Sequence, residues 1–321
     1  MRLCLMIEGQ EGVTWPQWLA LAQTCERTGL EGLFRSDHYM PLGAGAAPAA
    51  GSLDAWTTLG GLAARTQRIR LGTMVSPATF RHPSVLARAA TTVDHLSGGR
   101  AELGLGAGWH EREHAAFGFP FAPLGERMDV FEEQADVIVG QWTTAAFSYS
   151  GRHYRLEACD ALPRPVQRPH LPLIVGGAGR RRSVAVAVRL AQEYNVTYPT
   201  VAECRALRSR LDAACEREGR DPATLVLSVM TTVVVGADER DAARRAQAMV
   251  DRGIEEGADG GALLAANRDT WVCGSVAQAA ERLAELRDAG VERMMLQHLL
   301  HDDLETVALI GRELGAATGA A

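Results

Sequence analysis

One pattern restricts this chain more than any other. Eight short, largely apolar runs recur along it, at residues 3–7, 32–35, 69–75, 101–105, 173–175, 194–196, 225–235 and 293–297. Stretches of helical periodicity stand between them, at 15–27, 83–96, 124–142, 179–190, 201–217, 238–256 and 276–289. Short apolar runs alternating with helices predict parallel β/α units. Eight such units predict a closed barrel rather than an open doubly wound sheet, and 321 residues suffice for one large barrel domain spanning 1–321. Thr14 and Pro16 suit the start of the first helix, and Gly290 suits a left-handed stop before the last strand. Three segments break the rhythm. Residues 41–51 read as a mobile Gly/Ala/Pro loop after the second strand. Residues 145–172 read as a hairpin plus a Pro-rich excursion, and 257–267 as a Gly/Ala-rich loop. In a barrel the loops after the strands face the active site, so these insertions would wall its C-terminal mouth.

Composition removes whole mechanisms. All 33 basic residues are Arg, against 39 acidic ones, for a net charge of −6. Without Lys there is no pyridoxal Schiff base, no P-loop, no kinase strand lysine and no Ser-x-x-Lys. A bound phosphate would have to meet Arg, backbone N–H groups or a helix N-terminus. The mildly acidic balance offers no footprint for nucleic acid. Six scattered Cys form no C-x-x-C and read as reduced core thiols. The apolar start is too short for a signal peptide or membrane span, so a cytoplasmic protein without membrane contact is expected.

Several motifs carry chemistry. Ser36-Asp37-His38 ends the second strand, placing a carboxylate beside an imidazole; the bland alternative is a loop cap at Asp37. Leu96-Ser-Gly-Gly-Arg100 imitates an ATPase signature but reads as a helix cap turning into a strand. Gly104-Leu-Gly-Ala-Gly-Trp109 has Trp109 where a dinucleotide fingerprint needs its third glycine. His110-Glu111-Arg112-Glu113-His114 spells the zincin string, yet a Gly-rich strand end precedes it and Phe117–Pro120 stops any long helix. No metal site is expected. Pro172–Arg182 reads as a strand, a Gly-rich turn and a helix start with three Arg. Basic residues there oppose the helix dipole, which favours a compensating anion. Trp56 reads as core.

Taken in order, Leu71–Pro77 with Thr79–Pro83, Val93–Arg100, Leu103–Trp109 and Leu173–Gly177 resemble the bacterial luciferase-like monooxygenase superfamily over roughly residues 1–315. The Ser36-Asp37-His38 ending is similar to its deazaflavin (coenzyme F420)-dependent oxidoreductases. The resemblance implies a (β/α)8 TIM barrel of the luciferase-like type with insertion loops at the mouth, usually a homodimer. It implies F420, or alternatively FMN, at that mouth. His38 would lie near the cofactor ring as the catalytic proton carrier, with Asp37 tuning it. A non-proline cis peptide at Met74–Val75 would face the ring, and Gly106 would lie close. Gly176, Gly177 and Gly179 would form the phosphate loop, assisted by Arg180 and Arg181. Trp109, His110, Tyr154, Tyr194 and His298 are candidates for the substrate wall. Trp109 replaces the acid that the superfamily's sugar-phosphate dehydrogenases carry, and their phosphate-holding Lys has no counterpart, which argues against that substrate. His110, Glu111 and Glu113 are alternatives for the acid. The expected reaction is hydride transfer between F420 and a small organic substrate. The alternatives are an FMNH2-dependent monooxygenase, then a zinc hydrolase or a non-catalytic cofactor carrier.

Overall fold

The computed structural model describes residues 1–41 and 51–317. Eight parallel strands close into a barrel: β1 (Arg2–Ile7), β2 (Gly32–Arg35), β3 (Arg70–Thr73), β4 (Ala101–Gly106), β5 (Leu173–Gly176), β6 (Glu193–Thr197), β7 (Val226–Gly236) and β8 (Arg293–Gln297). Neighbours in sequence are neighbours in space, and β8 returns to β1 to complete the ring. Helices cover the outside: α1 (Trp15–Thr28), α2 (Ala55–Ala63), α3 (Pro83–Ser97), α4 (Glu111–Phe117), α5 (Leu124–Thr143), α6 (Arg181–Leu190), α7 (Val201–Arg217), α8 (Glu239–Asp251), α9 (Gly260–Asn267) and α10 (Val276–Asp288). The expected barrel is therefore present. No helix among the described residues is long and apolar enough to cross a membrane.

Local chemistry explains the ends. Thr14 caps α1 in a reciprocal box with Gln17, and Pro16 sits in the first turn. Gly98 and Gly99 take positive φ after α3, and Arg100 ties the turn to the carbonyls of Ala63, Thr66 and Ile69. Leu96–Arg100 is thus the helix stop its bland reading required. The segment 145–172 contains the expected hairpin, Phe147–Ser150 with Arg155–Cys159. Two expectations need amendment. Residues 257–267, read as a loop, contain α9, whose N-terminus is capped by the Asp259 side chain. A further short strand, Val272–Ser275, extends the sheet beside β7. The loop expected at 41–51 lies almost wholly outside the described residues.

Strand alternation sorts the barrel interior into levels. At the N-terminal end Arg293 is fully enclosed. It binds Glu102 at 2.7 Å, Glu193 at 2.9 Å and Glu31 at 2.7 Å, and it lies 5.0 Å from the Phe34 ring centroid. Burial alone would raise the Glu102 carboxyl, but Arg293 and Arg70 hold it below the ordinary range. Above this sits an apolar level made of Cys4, Met6, Phe34, Met74, Ile174, Met230 and Met295. The next inward positions belong to the mouth.

Candidate functional site

His38 stands two residues beyond Ser36 at the C-terminal end of β2. Its Nδ1 meets Glu113 Oε2 at 2.7 Å. Glu113 is fully buried on α4, and its other oxygen accepts the backbone N–H groups of Tyr39 and Met40. That carboxylate therefore locks the whole turn after β2. Burial opposes a charged imidazole, but the hydrogen bond and charge of Glu113, with Glu8 and Asp37 beyond, raise His38 above its ordinary value. The same contacts hold Glu113 below the carboxylate range against the effect of its burial. His110 lies beside this pair, its ring 6.0 Å from that of His38, and its Nε2 is buried without a partner. Burial lowers its pKa. The Trp109 indole stands edge-on to His38 at 5.7 Å and is 61% exposed.

Asp37 does not tune His38 by direct contact. Its carboxylate is buried and takes both nitrogens of the Arg81 fork, at 2.6 and 3.0 Å, plus the Ser76 hydroxyl at 2.6 Å. Arg81 also reaches the Tyr39 hydroxyl and Asp54. Asp37 is an anchor that holds side chains, Arg81 and Ser76, rather than capping backbone N–H groups, and the carboxylate that meets the imidazole is Glu113. Trp56 is core, donating to Ser76 at 3.1 Å.

The Met74–Val75 peptide is cis. It interrupts β3, which resumes pairing with β4 at Ser76–Pro77. The glycines around it have a steric reason. A Cβ at Gly104, Gly106 or Gly176 would lie 2.9, 2.8 or 3.0 Å from a Val75 methyl carbon. Two neighbouring strands, β4 and β5, are bare at these points, where Val75 seats against them, and at Gly104 the Thr73 carbonyl oxygen lies nearer still.

Beyond β5 the Gly-rich turn leads into α6. The N–H of Gly177 donates to Asn195 O, and that of Gly179 to the Tyr194 hydroxyl at 2.7 Å. These glycines shape the turn rather than donate to a ligand. The donors left are those of the first turn of α6, which has no side-chain cap and no acidic residue. The exposed guanidinium groups of Arg180 and Arg181 have no partner among the described residues. Arg182 is committed elsewhere, to Glu132 and Asp129 on α5.

Strand parity corrects the expected substrate wall. Glu193 and Asn195 of β6 point into the barrel, so Tyr194 points out. It is fully buried, and its hydroxyl is shared by Gly179 and Ser183 at 2.8 Å. At the end of β8, Gln297 points in and His298 points out. His298 is 2% exposed and packs among Val233, Met249, Leu300 and Thr306, where burial lowers it to about 4. Tyr154 rests on His82 and Gln134 in the helix layer. Trp109 and His110 remain beside His38. The inward residues that sequence reasoning passed over are Glu8, Thr232 and Gln297, with Tyr198 just past β6. Their signal was available: each of the first three lies two positions after an interior methionine.

The zincin string forms no such site. His114 donates from Nδ1 to the His110 carbonyl at 2.8 Å, and its Nε2 pairs with the Thr79 hydroxyl at 2.7 Å. Among the described residues no group of three His, Cys, Asp or Glu side chains comes together as a metal site.

Comparison with known proteins places this geometry. An uncharacterised protein of Mycobacterium tuberculosis is 36% identical over 146 residues, which span 46% of this chain and half of that protein. The pyrimidine monooxygenase RutA of Stutzerimonas stutzeri is 30% identical over 295 residues, covering 82% of this chain and 78% of its own. The coenzyme F420-dependent tetrahydromethanopterin reductase of Methanopyrus kandleri shares the fold, with TM-score 0.79, 18% identity and 97% of each chain covered. The profile of the luciferase-like monooxygenases matches residues 4–293. With the barrel closed in sequence order and matched over nearly its whole length, this chain belongs to the luciferase-like monooxygenase family.

Proposed function

We propose that this protein is an oxidoreductase that transfers a hydride between coenzyme F420 and a small organic substrate at the barrel mouth. The observation that carries this reading is the His38–Glu113 pair. Hydride delivered to a carbonyl leaves an oxygen that needs a proton. His38 is an imidazole biased toward its protonated form, with Nδ1 committed to Glu113 and Nε2 left to exchange a proton with a ligand. The Ser36-Asp37-His38 ending supports the deazaflavin branch.

The residues present fit a ring cofactor with an anionic tail. The break in β3 at Met74–Val75 lies at the level of the mouth, and Gly106 and Gly176 let Val75 pack close against β4 and β5 there. Two unpaired Arg and an uncapped helix start stand where the tail would lie. When bound, the reduced ring supplies the hydride. Met74, Val75 and Gly106 would support it, while Arg180, Arg181 and the first turn of α6 would hold its tail, with the turn at Gly176–Gly179 placing them. His38 holds the proton, and Trp109 and His110 limit the space beside it. The same reading includes a homodimer, which sedimentation would show.

A second reading has its own support. The 30% identical relative is a pyrimidine monooxygenase, which favours an FMNH2-dependent monooxygenase. Titrating purified protein with F420 and with FMN separates the two. Micromolar binding of F420, without substrate-coupled oxygen uptake, supports hydride transfer. Binding of FMN alone, with oxygen uptake that depends on substrate, replaces it with the second reading.

A further inference from the structure

The mouth has another polar face, opposite in chemistry to His38. β1, β7 and β8 carry their inward side chains one step past the methionines, from Met6 to Glu8, Met230 to Thr232 and Met295 to Gln297. Tyr198 joins them from a left-handed backbone, φ 51°, held by its N–H on Met230 O at 2.9 Å. A tyrosine seldom adopts that conformation, and such residues concentrate at functional sites.

Counting donors and acceptors shows what this group would take. Gln297 Nε2 donates to Glu8 Oε1 at 2.6 Å. Gln297 Oε1 accepts from the Thr232 hydroxyl at 2.8 Å and from the Tyr198 hydroxyl. Those two bonds fix the orientation of the amide and leave one of its N–H groups without a partner among the described residues. Glu8 Oε2 accepts from Gln10 at 2.7 Å. A carboxylate has about four lone-pair positions, so Glu8 retains acceptor capacity beside that N–H. Tyr198 and Thr232 have given their protons to Gln297 and present oxygen lone pairs. The edge therefore offers a donor next to acceptors. Its complement is a carbonyl next to an N–H. Across the mouth, the exposed Trp109 indole provides an aromatic surface beside His38, which suits a flat ring.

We propose that Glu8, Gln297 and Tyr198 form the substrate-recognition edge of the mouth, and that the substrate is a planar cyclic amide or imide. This rests on the reading of the mouth as the site of reaction. A ring lacking N–H and C=O cannot use the spare N–H of Gln297 or the spare acceptor positions of Glu8, and covers them without a partner.

The test compares 2-pyridone, a flat lactam, with benzene, a ring of the same size without the polar edge. Binding is followed by NMR titration of the full chain, with and without FMN or F420. Wild type should bind 2-pyridone at least tenfold more tightly than benzene. Gln297→Leu and Glu8→Leu should lose that preference while keeping their benzene affinity. Equal affinities in wild type overturn the proposal, and that comparison needs no variant to fold. A preference retained in both folded variants overturns the assignment of the edge. If neither cofactor binds but the preference is present, the redox reading fails and this one stands.

Discussion

His38 Nδ1 and Glu113 Oε2 meet at 2.7 Å although 75 positions separate them in the chain. The contact makes a carboxylate on α4 the partner of an imidazole after β2. Glu113→Gln should shift the His38 titration to lower pH, followed by the imidazole resonances in NMR; an unmoved titration would refute the pairing. The stability consequence has two limits. His38 is raised on folding, so its share is present at low pH and is lost as pH rises through the folded value. Glu113 is lowered, so its share is lost as pH falls through its own folded value. The stability gap between wild type and Glu113→Gln should thus be widest between the two titrations and narrow on either side.

His38→Ala should lower turnover by roughly 10²- to 10⁴-fold, the usual worth of a positioned acid or base. Cofactor affinity should be largely retained, because the ring and tail supports lie on β3 to α6. Steady-state kinetics beside a fluorescence titration would separate the two effects. A parallel loss of both would make His38 a structural residue.

Arg180→Glu with Arg181→Glu should weaken cofactor binding at least tenfold, or about 1.4 kcal/mol. Both side chains are exposed and have no partner among the described residues, so the melting temperature should hardly move. Wild-type affinity should also fall with added salt more steeply than that of the double variant. Equal affinities and equal salt slopes would remove the anion from α6.

Gly106→Ala adds a carbon 2.8 Å from a Val75 methyl, in a place where three strands converge. Overpacking of this kind costs about 1–3 kcal/mol. Urea denaturation should show that loss; an unchanged midpoint would mean that Val75 moves aside freely.

Glu102→Ala removes one partner from an enclosed charge group around Arg293. Breaking such a group typically costs roughly 3–5 kcal/mol. In wild type, Glu102 is held below its ordinary range, so its contribution is present above that range and is lost as pH falls through the folded value. Acid unfolding of the variant should be less steep than that of wild type, and identical acid profiles would count against the network.

The order of elements was legible because each strand is a short apolar run and each turn carries its own punctuation, as Gly98 and Gly99 do after α3. Side-chain direction was less so. In a strand enclosed on both sides, apolar residues fill both faces, and period two loses its contrast. Tyr194 and His298 look like mouth residues by position, yet each lies one step out of phase with its inward neighbour. The partner of His38 was hidden for another reason: Asp37 is adjacent in sequence, but Arg81 claims it, and Glu113 arrives from a different β/α unit. The helix Gly260–Asn267 escaped notice because it opens on two glycines and its apolar residues form no distinct face. It is packing that holds it, since any Cβ at Gly260 would strike the backbone of α8.

Arg293 and its acids stopper the N-terminal end of the barrel, and the methionine level fills the space above them. The molecule is therefore a cup, not a pipe. Whatever enters must leave by the rim through which it came, so on the proposed reading ring, substrate and product would share one doorway. Where one occupant lies beneath another, such a single doorway makes the deeper one first in and last out.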